Sequence, residues 1–358
     1  MKPTQQLHDL GQSLWLDNIT RSLLDDGTIQ GYIDTHSVTG LTSNPSIFDN
    51  AIKSGDYDEE IRAQAAKGLT NEEVFFALAI ADLQRAADLF KPVHERTDGV
   101  DGWVSLEVSP LLAYDTAKTA EWARALHQRA DRANLFVKIP GTPEGLPAIE
   151  ESIFSGVAVN VTLLFDADQY LAAADAYLKG VERRIAAGLN PAVACVASLF
   201  ISRWDTAVAG SVPAELKNRL GLAVGLEAYR AYRELIASER YQRVANEGAR
   251  VQRLLWASTK TKDPEASDTL YIEGLASPFT INTMPDSTLG AFYDHGTVGP
   301  PLPSDGGDYA EQLKQFAKAG VDKEALALKL QDEGASSFTS SWNELLARID
   351  AQLKGEKS

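Results

Sequence analysis

The chain repeats one pattern along most of its length: a short apolar run that ends in polar residues. Such runs, rich in β-branched and aromatic residues and bounded by turn formers, are typical of buried strands. Eight of them can be identified in the 358 residues. The predicted strands are Leu14–Asp17, Val38–Asn44, Gly102–Glu107, Asn134–Pro140, Val157–Thr162, Ala194–Arg203, Leu254–Lys260 and Phe279–Thr283.

Segments with helical periodicity separate most of these runs. Apolar side chains that include Val74, Phe75 and Leu78 give residues 71–95 the spacing of an amphipathic helix. Residues 116–131, 167–187 and 213–241 follow the same pattern.

Strands that alternate with helices form parallel βαβ units, and eight such units predict an α/β fold, a closed (β/α)₈ TIM barrel. An open doubly wound sheet is the alternative. Against it, no G-x-G-x-x-G motif follows the first run, and polar residues end all eight runs instead of two. Polar residues at the carboxyl ends of barrel strands are typical of a catalytic site.

Both ends of the chain are expected to lie outside the strand–helix repeat. Residues 1–12 predict a short N-terminal cover, and the Gly- and Pro-rich stretch 294–308 interrupts regular structure. Residues 308–353 predict two or three helices after the eighth strand. We therefore expect a single domain over residues 1–358, with a C-terminal helical appendage from about residue 308 to 358.

Composition restricts the possible partners. The chain has 50 acidic and 34 basic residues, and its net charge of −16 argues against nucleic acid and anionic membranes as partners. Cys195 is the sole cysteine, so no disulfide can form within the chain. No stretch approaches the length of a membrane span and no signal peptide is recognisable, so a cytosolic location is expected.

One predicted strand carries a lysine, Lys138, between Val137 and Ile139. Burial disfavours the ammonium form and lowers the pKa of a lysine, which gives the neutral amine that a Schiff-base nucleophile requires. Two structural explanations stand beside this one. Lys138 could reach solvent from an edge strand, or it could pair with a carboxylate.

No metal site or cofactor motif is recognisable. The histidines are scattered over predicted helices and loops, and none ends a strand, so solvated or capping roles are expected for them. They are His8, His36, His94, His127 and His295.

Seven segments, each at a predicted strand end, give the chain its resemblance to a known family. They are Ser13–Asn18, Gly40–Ser46, Ser105–Val108, Phe136–Pro140, Asn160–Phe165, Ser198–Arg203 and Asn282–Pro285. In this order they resemble the transaldolases, specifically the longer stand-alone form, from Ser13 to about Phe292. The C-terminal helices carry none of these segments.

The resemblance implies transfer of dihydroxyacetone from a ketose phosphate to an aldose phosphate, without a cofactor, through an imine on Lys138. It assigns the base for the C4 hydroxyl to Asp17, and proton transfer through water to Glu107 with Thr162. Simpler roles remain open for each. Asp17 could cap a helix, Glu107 could pair with Lys138, and Thr162 could be an ordinary strand residue.

The resemblance also implies the substrate contacts. Asn44 and Asn160 are expected to bind substrate hydroxyls, and Thr42 to position water or substrate, although Asn44 with Pro45 could form a plain turn. Phe200 is expected to pack beside the substrate, whereas Trp204 and Trp256 are expected in the core.

Phosphate binding is implied for Ser198 and Arg203, because a guanidinium suits a phosphate dianion. Arg203 could instead be a solvated residue in the first turn of a helix. The second cation departs from the better-known members, which carry arginine after the Ala-Ser of the seventh strand. Here Lys260 and Lys262 are both candidates.

Three other functions remain possible on the sequence alone. They are a simple aldolase that releases dihydroxyacetone to water, a barrel that binds sugar phosphates without turnover, and a structural barrel with incidental polar strand ends. The expected partners are sugar phosphate substrates, and the expected state is a monomer or homodimer.

Overall fold

The computed structural model describes residues 1–354 and folds them into a closed barrel of eight parallel strands. Each strand pairs with its neighbours in chain order, and the eighth pairs with the first. The predicted (β/α)₈ TIM barrel is confirmed. The strands are β1 (Ser13–Leu16), β2 (Val38–Leu41), β3 (Trp103–Glu107), β4 (Leu135–Pro140), β5 (Val159–Leu164), β6 (Cys195–Phe200), β7 (Gln252–Ala257) and β8 (Ile281–Met284).

Helices surround the barrel and cover both of its ends. Those before β5 are α1 (Pro3–Asp9), α2 (Arg21–Asp25), α3 (Thr28–Thr35), α4 (Pro45–Lys53), α5 (Asp58–Ala65), α6 (Asn71–Arg96), α7 (Thr116–Ala130) and α8 (Gly145–Phe154). Those after it are α9 (Ala167–Ala186), α10 (Ser202–Val208), α11 (Leu220–Ala237), α12 (Glu239–Asn246), α13 (Leu270–Gly274), α14 (Asp286–His295), α15 (Tyr309–Lys318) and α16 (Lys323–Lys354). Short 3₁₀ turns occur at Pro110–Leu112 and Ala214–Leu216.

Every predicted strand overlaps an observed one, but the observed strands differ at their ends. In the run Ala194–Arg203, β6 ends at Phe200 and the backbone of Ile201 leaves the extended conformation. Ser202 and Arg203 instead begin α10 at the carboxyl end of the barrel. The sequence predicted a longer strand because Phe200 and Ile201 both have a high strand propensity, which does not indicate where the strand ends.

The helix predicted over residues 213–241 is confirmed for Leu220–Ala237, but it starts later than predicted and is broken at Ser238. Ser238 has an extended backbone, and its side chain accepts a hydrogen bond from the backbone nitrogen of Tyr241 at 3.3 Å. It therefore caps a new helix, α12, and ends α11. The other three helix predictions correspond to α6, α7 and α9 to within a residue or two.

The C-terminal segment forms two helices, and the second of them packs along the carboxyl end of the barrel. α15 contacts α11, whereas α16 contacts α4, α5, α6 and the end of β5. The final part of the expected appendage, residues 355–358, lies outside the described residues. α16 therefore lies beside the edge at which the polar strand ends meet.

A buried polar network closes the opposite end of the barrel. Arg253 on β7 donates to Ser13 Oγ at 2.7 Å, to the carbonyl of Thr280 at 2.9 Å and to that of Val100 at 3.0 Å. Its guanidinium also lies 4.0 Å from Asp101, which accepts a hydrogen bond from the indole of Trp15 at 2.7 Å. The single cation thus compensates a buried carboxylate.

We expect Arg253→Ala to lower the free energy of unfolding by about 3–5 kcal/mol, because the substitution leaves the charge of Asp101 buried without its counterion. Arg250→Ala is the matched control, since Arg250 pairs with Asp98, an aspartate whose side chain is 90% exposed. Arg250→Ala should lower the free energy of unfolding by less than about 1 kcal/mol. Urea unfolding of the three proteins measures both effects, and equal losses in the two variants would contradict the assignment.

Candidate active site

A cavity of about 300 Å³ opens at the carboxyl ends of the strands. Ten of the twelve predicted site residues line it. These are Asp17, Thr42, Asn44, Lys138, Thr162, Ser198, Phe200, Arg203, Lys260 and Lys262. The other two, Glu107 and Asn160, are buried directly behind the wall, where each contacts a lining residue.

Lys138 and Glu107 form a buried ion pair because β3 and β4 place them side by side in register. The Nζ of Lys138 donates to Glu107 Oε2 at 3.2 Å and to the carbonyl of Ser43 at 2.9 Å. Lys138 is only 5% exposed, and a closed barrel has no edge strand. Reaching solvent from an edge is therefore excluded, whereas pairing with a carboxylate is confirmed.

The pair favours proton exchange between its members. Burial raises the pKa of Glu107, and the charge of Lys138 opposes that rise only in part. A carboxylate with a raised pKa accepts a proton more readily. Transfer of a proton from the ammonium to Glu107 would give the neutral amine that attacks a carbonyl.

Asp17 lies on the other side of the cavity, just after β1. Thr42 donates to Asp17 Oδ1 at 2.6 Å and also lies 2.7 Å from the hydroxyl of Thr283. Burial raises the pKa of Asp17, while the hydrogen bond from Thr42 and the charge of Lys138 lower it. A raised pKa suits a carboxylate that must take up a proton.

Asp17 is not a helix cap. The cap of α2 is Thr20, whose side chain accepts a hydrogen bond from the backbone nitrogen of Leu23 at 3.2 Å. The alternative that Asp17 caps a helix is therefore wrong. Asp17 lines the cavity instead.

Three buried polar residues on β5 and β6 lie next to Lys138, and two of them, Thr162 and Ser198, line the cavity. The register of β4 and β5 pairs Lys138 with Asn160 and Pro140 with Thr162. Asn160 accepts a hydrogen bond from Ser198 Oγ at 2.7 Å and donates to Ser105 Oγ at 3.1 Å, so it holds Ser198 in place. The hydroxyl of Thr162 is buried and has no hydrogen-bond partner within residues 1–354, which leaves it available to substrate or water.

Asn44 combines a structural role with a place on the cavity wall. Its Oδ1 accepts a hydrogen bond from the backbone nitrogen of Ile47 at 3.0 Å and so caps α4. Asn44 and Pro45 thus begin a helix and do not form a plain turn. The side-chain amide nitrogen of Asn44 remains a potential donor to a ligand.

Positive charge gathers at one end of the cavity. Arg203, Lys260 and Lys262 all line it. Burial lowers the pKa of Lys262, the charges of Lys260 and Arg203 lower it further, and the charge of Asp17 opposes this shift. Both lysines line the cavity, and we expect Lys262, which lies close enough to Arg203 and Asp17 for their charges to act on it, to be the second cation of an anion site.

Four contributors to the site were not among the predicted residues. Thr283 and Ser258 line the cavity, and Ser258 has a left-handed φ of 55°, which is uncommon outside glycine and marks local strain at a site. The carbonyl of Ser43 binds Lys138, and Phe338 reaches the cavity from α16. Thr283 could have been found, since it ends a predicted strand. Phe338 carries no such signal.

The described part of the chain has neither a metal-binding cluster nor a membrane-spanning helix. Within residues 1–354 no group of three or more His, Cys, Asp or Glu side chains is arranged to hold a metal ion. No helix in the same range is both long enough and apolar enough to cross a membrane.

The sequence model of the family described as Transaldolase/Fructose-6-phosphate aldolase matches residues 14–349. The chain belongs to this family. The match extends beyond the resemblance seen in the strand ends, which stopped near Phe292, and it includes most of α16. The C-terminal helix is therefore part of what the family shares, although it carries none of the short segments.

Curated relatives match the chain over nearly its full length. It is 45% identical to the transaldolase of Thermobifida fusca, with 98% of each chain covered. The transaldolase of Thiobacillus denitrificans is also 45% identical, over 98% of this chain and 100% of the relative. That of Mycobacterium bovis is 43% identical, over 96% of this chain and 95% of the relative.

The cation end of the cavity should bind a phosphate. Calorimetric titration with inorganic phosphate should show binding weakened about tenfold to a hundredfold by Arg203→Ala, the effect of losing a charge-assisted contact. Lys262→Ala should weaken binding more than Lys260→Ala does. Unchanged phosphate affinity in Arg203→Ala would show that the guanidinium is structural.

Proposed function

We propose that the protein is a transaldolase that carries dihydroxyacetone from a ketose phosphate to an aldose phosphate as an imine on Lys138. Fructose 6-phosphate or sedoheptulose 7-phosphate would be the donor, and glyceraldehyde 3-phosphate or erythrose 4-phosphate the acceptor. The observation that carries the proposal is the position of Lys138. It lies at the base of the cavity, bonded to Glu107, with Asp17 on the opposite side.

The imine supplies the electron sink that the reaction requires. The neutral amine of Lys138 adds to the donor carbonyl and water leaves, which gives a protonated imine. When the C3–C4 bond breaks, its electron pair moves into this imine, and an enamine of dihydroxyacetone remains on the lysine. The shortened aldose phosphate departs, and the acceptor aldehyde takes its place.

Asp17 would accept the proton of the C4 hydroxyl as the C3–C4 bond breaks. Its raised pKa supports this role, and so does the fact that Thr20, not Asp17, caps α2. The hydrogen bond from Thr42 orients the carboxylate, because it occupies one lobe of Oδ1 at 2.6 Å. The same group can return the proton when the acceptor adds.

Glu107 and Thr162 would handle the water that leaves and re-enters. Glu107 Oε1 and the hydroxyl of Thr162 are both buried without a hydrogen-bond partner among the described residues. Each can bind one water beside Lys138, and the raised pKa of Glu107 suits a group that gives and takes protons. Arg203 and Lys262 would bind the phosphate of the substrate, with Ser198 beside them.

A simple aldolase is the second candidate, because the family model covers both activities and the same lysine serves both. The two differ in what happens without an acceptor. An aldolase releases glyceraldehyde 3-phosphate from fructose 6-phosphate continuously, whereas a transferase stops after one equivalent until erythrose 4-phosphate is added. A rapid-quench assay with and without erythrose 4-phosphate separates them, and the full-length transaldolase relatives favour the burst.

Three expectations from the sequence stay predictions. These are a cytosolic location, a monomeric or homodimeric state, and a single domain in which the barrel and the terminal helices act together.

Borohydride reduction in the presence of fructose 6-phosphate should leave a three-carbon adduct on Lys138, located by peptide mass spectrometry. Lys138→Arg should abolish both adduct and turnover, because a guanidinium does not form the imine. Lys179→Arg is the control, since that lysine is 54% exposed and pairs with Asp175 far from the cavity. Labelling of any other lysine in the parent protein would overturn the assignment.

Variants that lack Asp17 or Glu107 should be blocked at different steps of the reaction. Asp17→Ala should still form the imine but should not cleave it, so fructose 6-phosphate accumulates as a six-carbon adduct. Glu107→Ala should instead slow the appearance of any adduct. Each loss should be about 10²–10⁴-fold, as is usual for general acid–base groups. A three-carbon adduct that forms at the normal rate in Asp17→Ala would remove Asp17 from the mechanism.

A further inference from the structure

Arg203 lacks the partners that a half-buried guanidinium usually has. Within residues 1–354 it makes no hydrogen bond and no ion pair. Burial lowers its pKa, and the charge of Glu333 on α16 opposes that shift only in part. Its contacts are with aromatic rings. The guanidinium carbon lies 5.3 Å from the ring centre of Phe200 and 6.0 Å from that of Phe338. These distances are within the range of a cation–π interaction.

The two rings come from different parts of the fold. Phe200 ends β6, one turn before Arg203, whereas Phe338 lies on the C-terminal helix α16. Their ring centres are 6.5 Å apart, and both line the cavity. The guanidinium is thus held by the barrel on one side and by α16 on the other, with its hydrogen-bond donors unused.

A glycine on α16 makes room for this arrangement. A Cβ on Gly334 would lie 3.2 Å from Nη1 of Arg203 and 2.8 Å from the side chain of Leu163. Glycine in the interior of a helix costs about 1 kcal/mol relative to alanine, so a buried one usually has a packing reason. Here the close approach of Leu163 and Arg203 together provides that reason.

Contacts on either side of Phe338 hold α16 in position. Two turns before it, Gln331 donates to the carbonyls of Leu163 at 2.9 Å and Gly141 at 3.1 Å, which end β5 and β4. After it, the hydroxyl of Ser341 lies 2.7 Å from that of Ser46 on α4. These contacts fix the position of the Phe338 ring relative to the ends of the strands.

We propose that Phe338 and Gly334 are positioning residues that hold the guanidinium of Arg203 toward the phosphate of the substrate. Through them the C-terminal helix sets the preference of the enzyme for phosphorylated over unphosphorylated donors. The proposal rests on the proposed function, because it takes the cavity to be a sugar phosphate site. An aromatic ring suits this task better than a hydrogen-bonded carboxylate would, because it leaves the donors of the guanidinium free for the phosphate.

Steady-state kinetics with two donors tests this role. The donors are fructose 6-phosphate and fructose, and erythrose 4-phosphate is the acceptor for both. Phe338→Leu removes the ring and keeps an apolar side chain of similar size. KM for fructose 6-phosphate should rise about threefold to thirtyfold, while kcat and the kinetics with fructose stay unchanged. Phe338→Tyr keeps the ring and should restore the parent KM.

Gly334→Ala supplies a second variant that does not weaken the helix. Alanine favours a helix, but its methyl group must displace Arg203 or Leu163, so KM for fructose 6-phosphate should again rise selectively. The controls are Phe316→Leu and Gly290→Ala. Phe316 is a buried ring of the same cluster that does not line the cavity, and a Cβ on Gly290 meets nothing within 4 Å. Both controls should behave like the parent protein.

Two outcomes would overturn the inference. An equal rise in KM for both donors would show that Phe338 only packs, and unchanged KM in both Phe338→Leu and Gly334→Ala would show that α16 does not position Arg203. Failure of the proposed function is a separate result. It would appear in the parent protein as the absence of a dihydroxyacetone adduct on Lys138, before any variant is compared.

Discussion

The ion pair between Lys138 and Glu107 is the constraint around which the rest of the site is built. Two charged side chains, each exposed by only 5–6%, lie 3.2 Å apart inside a closed sheet. Taking both out of water is costly, and a buried pair often contributes little or nothing to stability compared with apolar residues of the same volume. Its position at a strand end is therefore better explained by reactivity than by folding. The raised pKa of Glu107 supports a proton that moves between the two groups, and the carbonyl of Ser43 holds the Nζ of Lys138 in place.

The barrel brings further charged residues to the same cavity as this pair. Asp17, Arg203, Lys260 and Lys262 line it together with Lys138. In the proposed function, Asp17, Glu107 and Lys138 move protons, and the other cations bind the negative charge of the substrate. The chain as a whole carries a net charge of −16, yet four of the five charged residues that line the cavity are cations. Net charge thus describes the surface of this protein but not the ligand of its site.

The sequence was informative wherever a residue's role depends on strand position. A strand end can be recognised from the local sequence, and parallel strands bring all their carboxyl ends to one edge of the barrel. Asp17, Lys138 and Thr162 could therefore be placed at the same edge from the sequence alone. Local patterns failed where a tertiary contact decides the outcome. Ser238 breaks the predicted helix because its side chain caps α12 through a hydrogen bond from Tyr241. Likewise, the proximity of Lys262 to Arg203 and Asp17 depends on the path of the loop after β7.

Phe338 shows most clearly why part of the site lies beyond sequence patterns. On a helix, a buried phenylalanine in an apolar stripe has the same local signature whether it faces a core or a ligand. What distinguishes Phe338 is the register of α16 against the strand ends, and Gln331 sets that register through the carbonyls of Gly141 and Leu163. Arg203 follows β6 at the start of α10, and Phe200 at the end of that strand packs against only one side of its guanidinium. The C-terminal helix supplies a second aromatic contact through Phe338, and because a ring accepts no conventional hydrogen bond, this contact leaves the donors of Arg203 free.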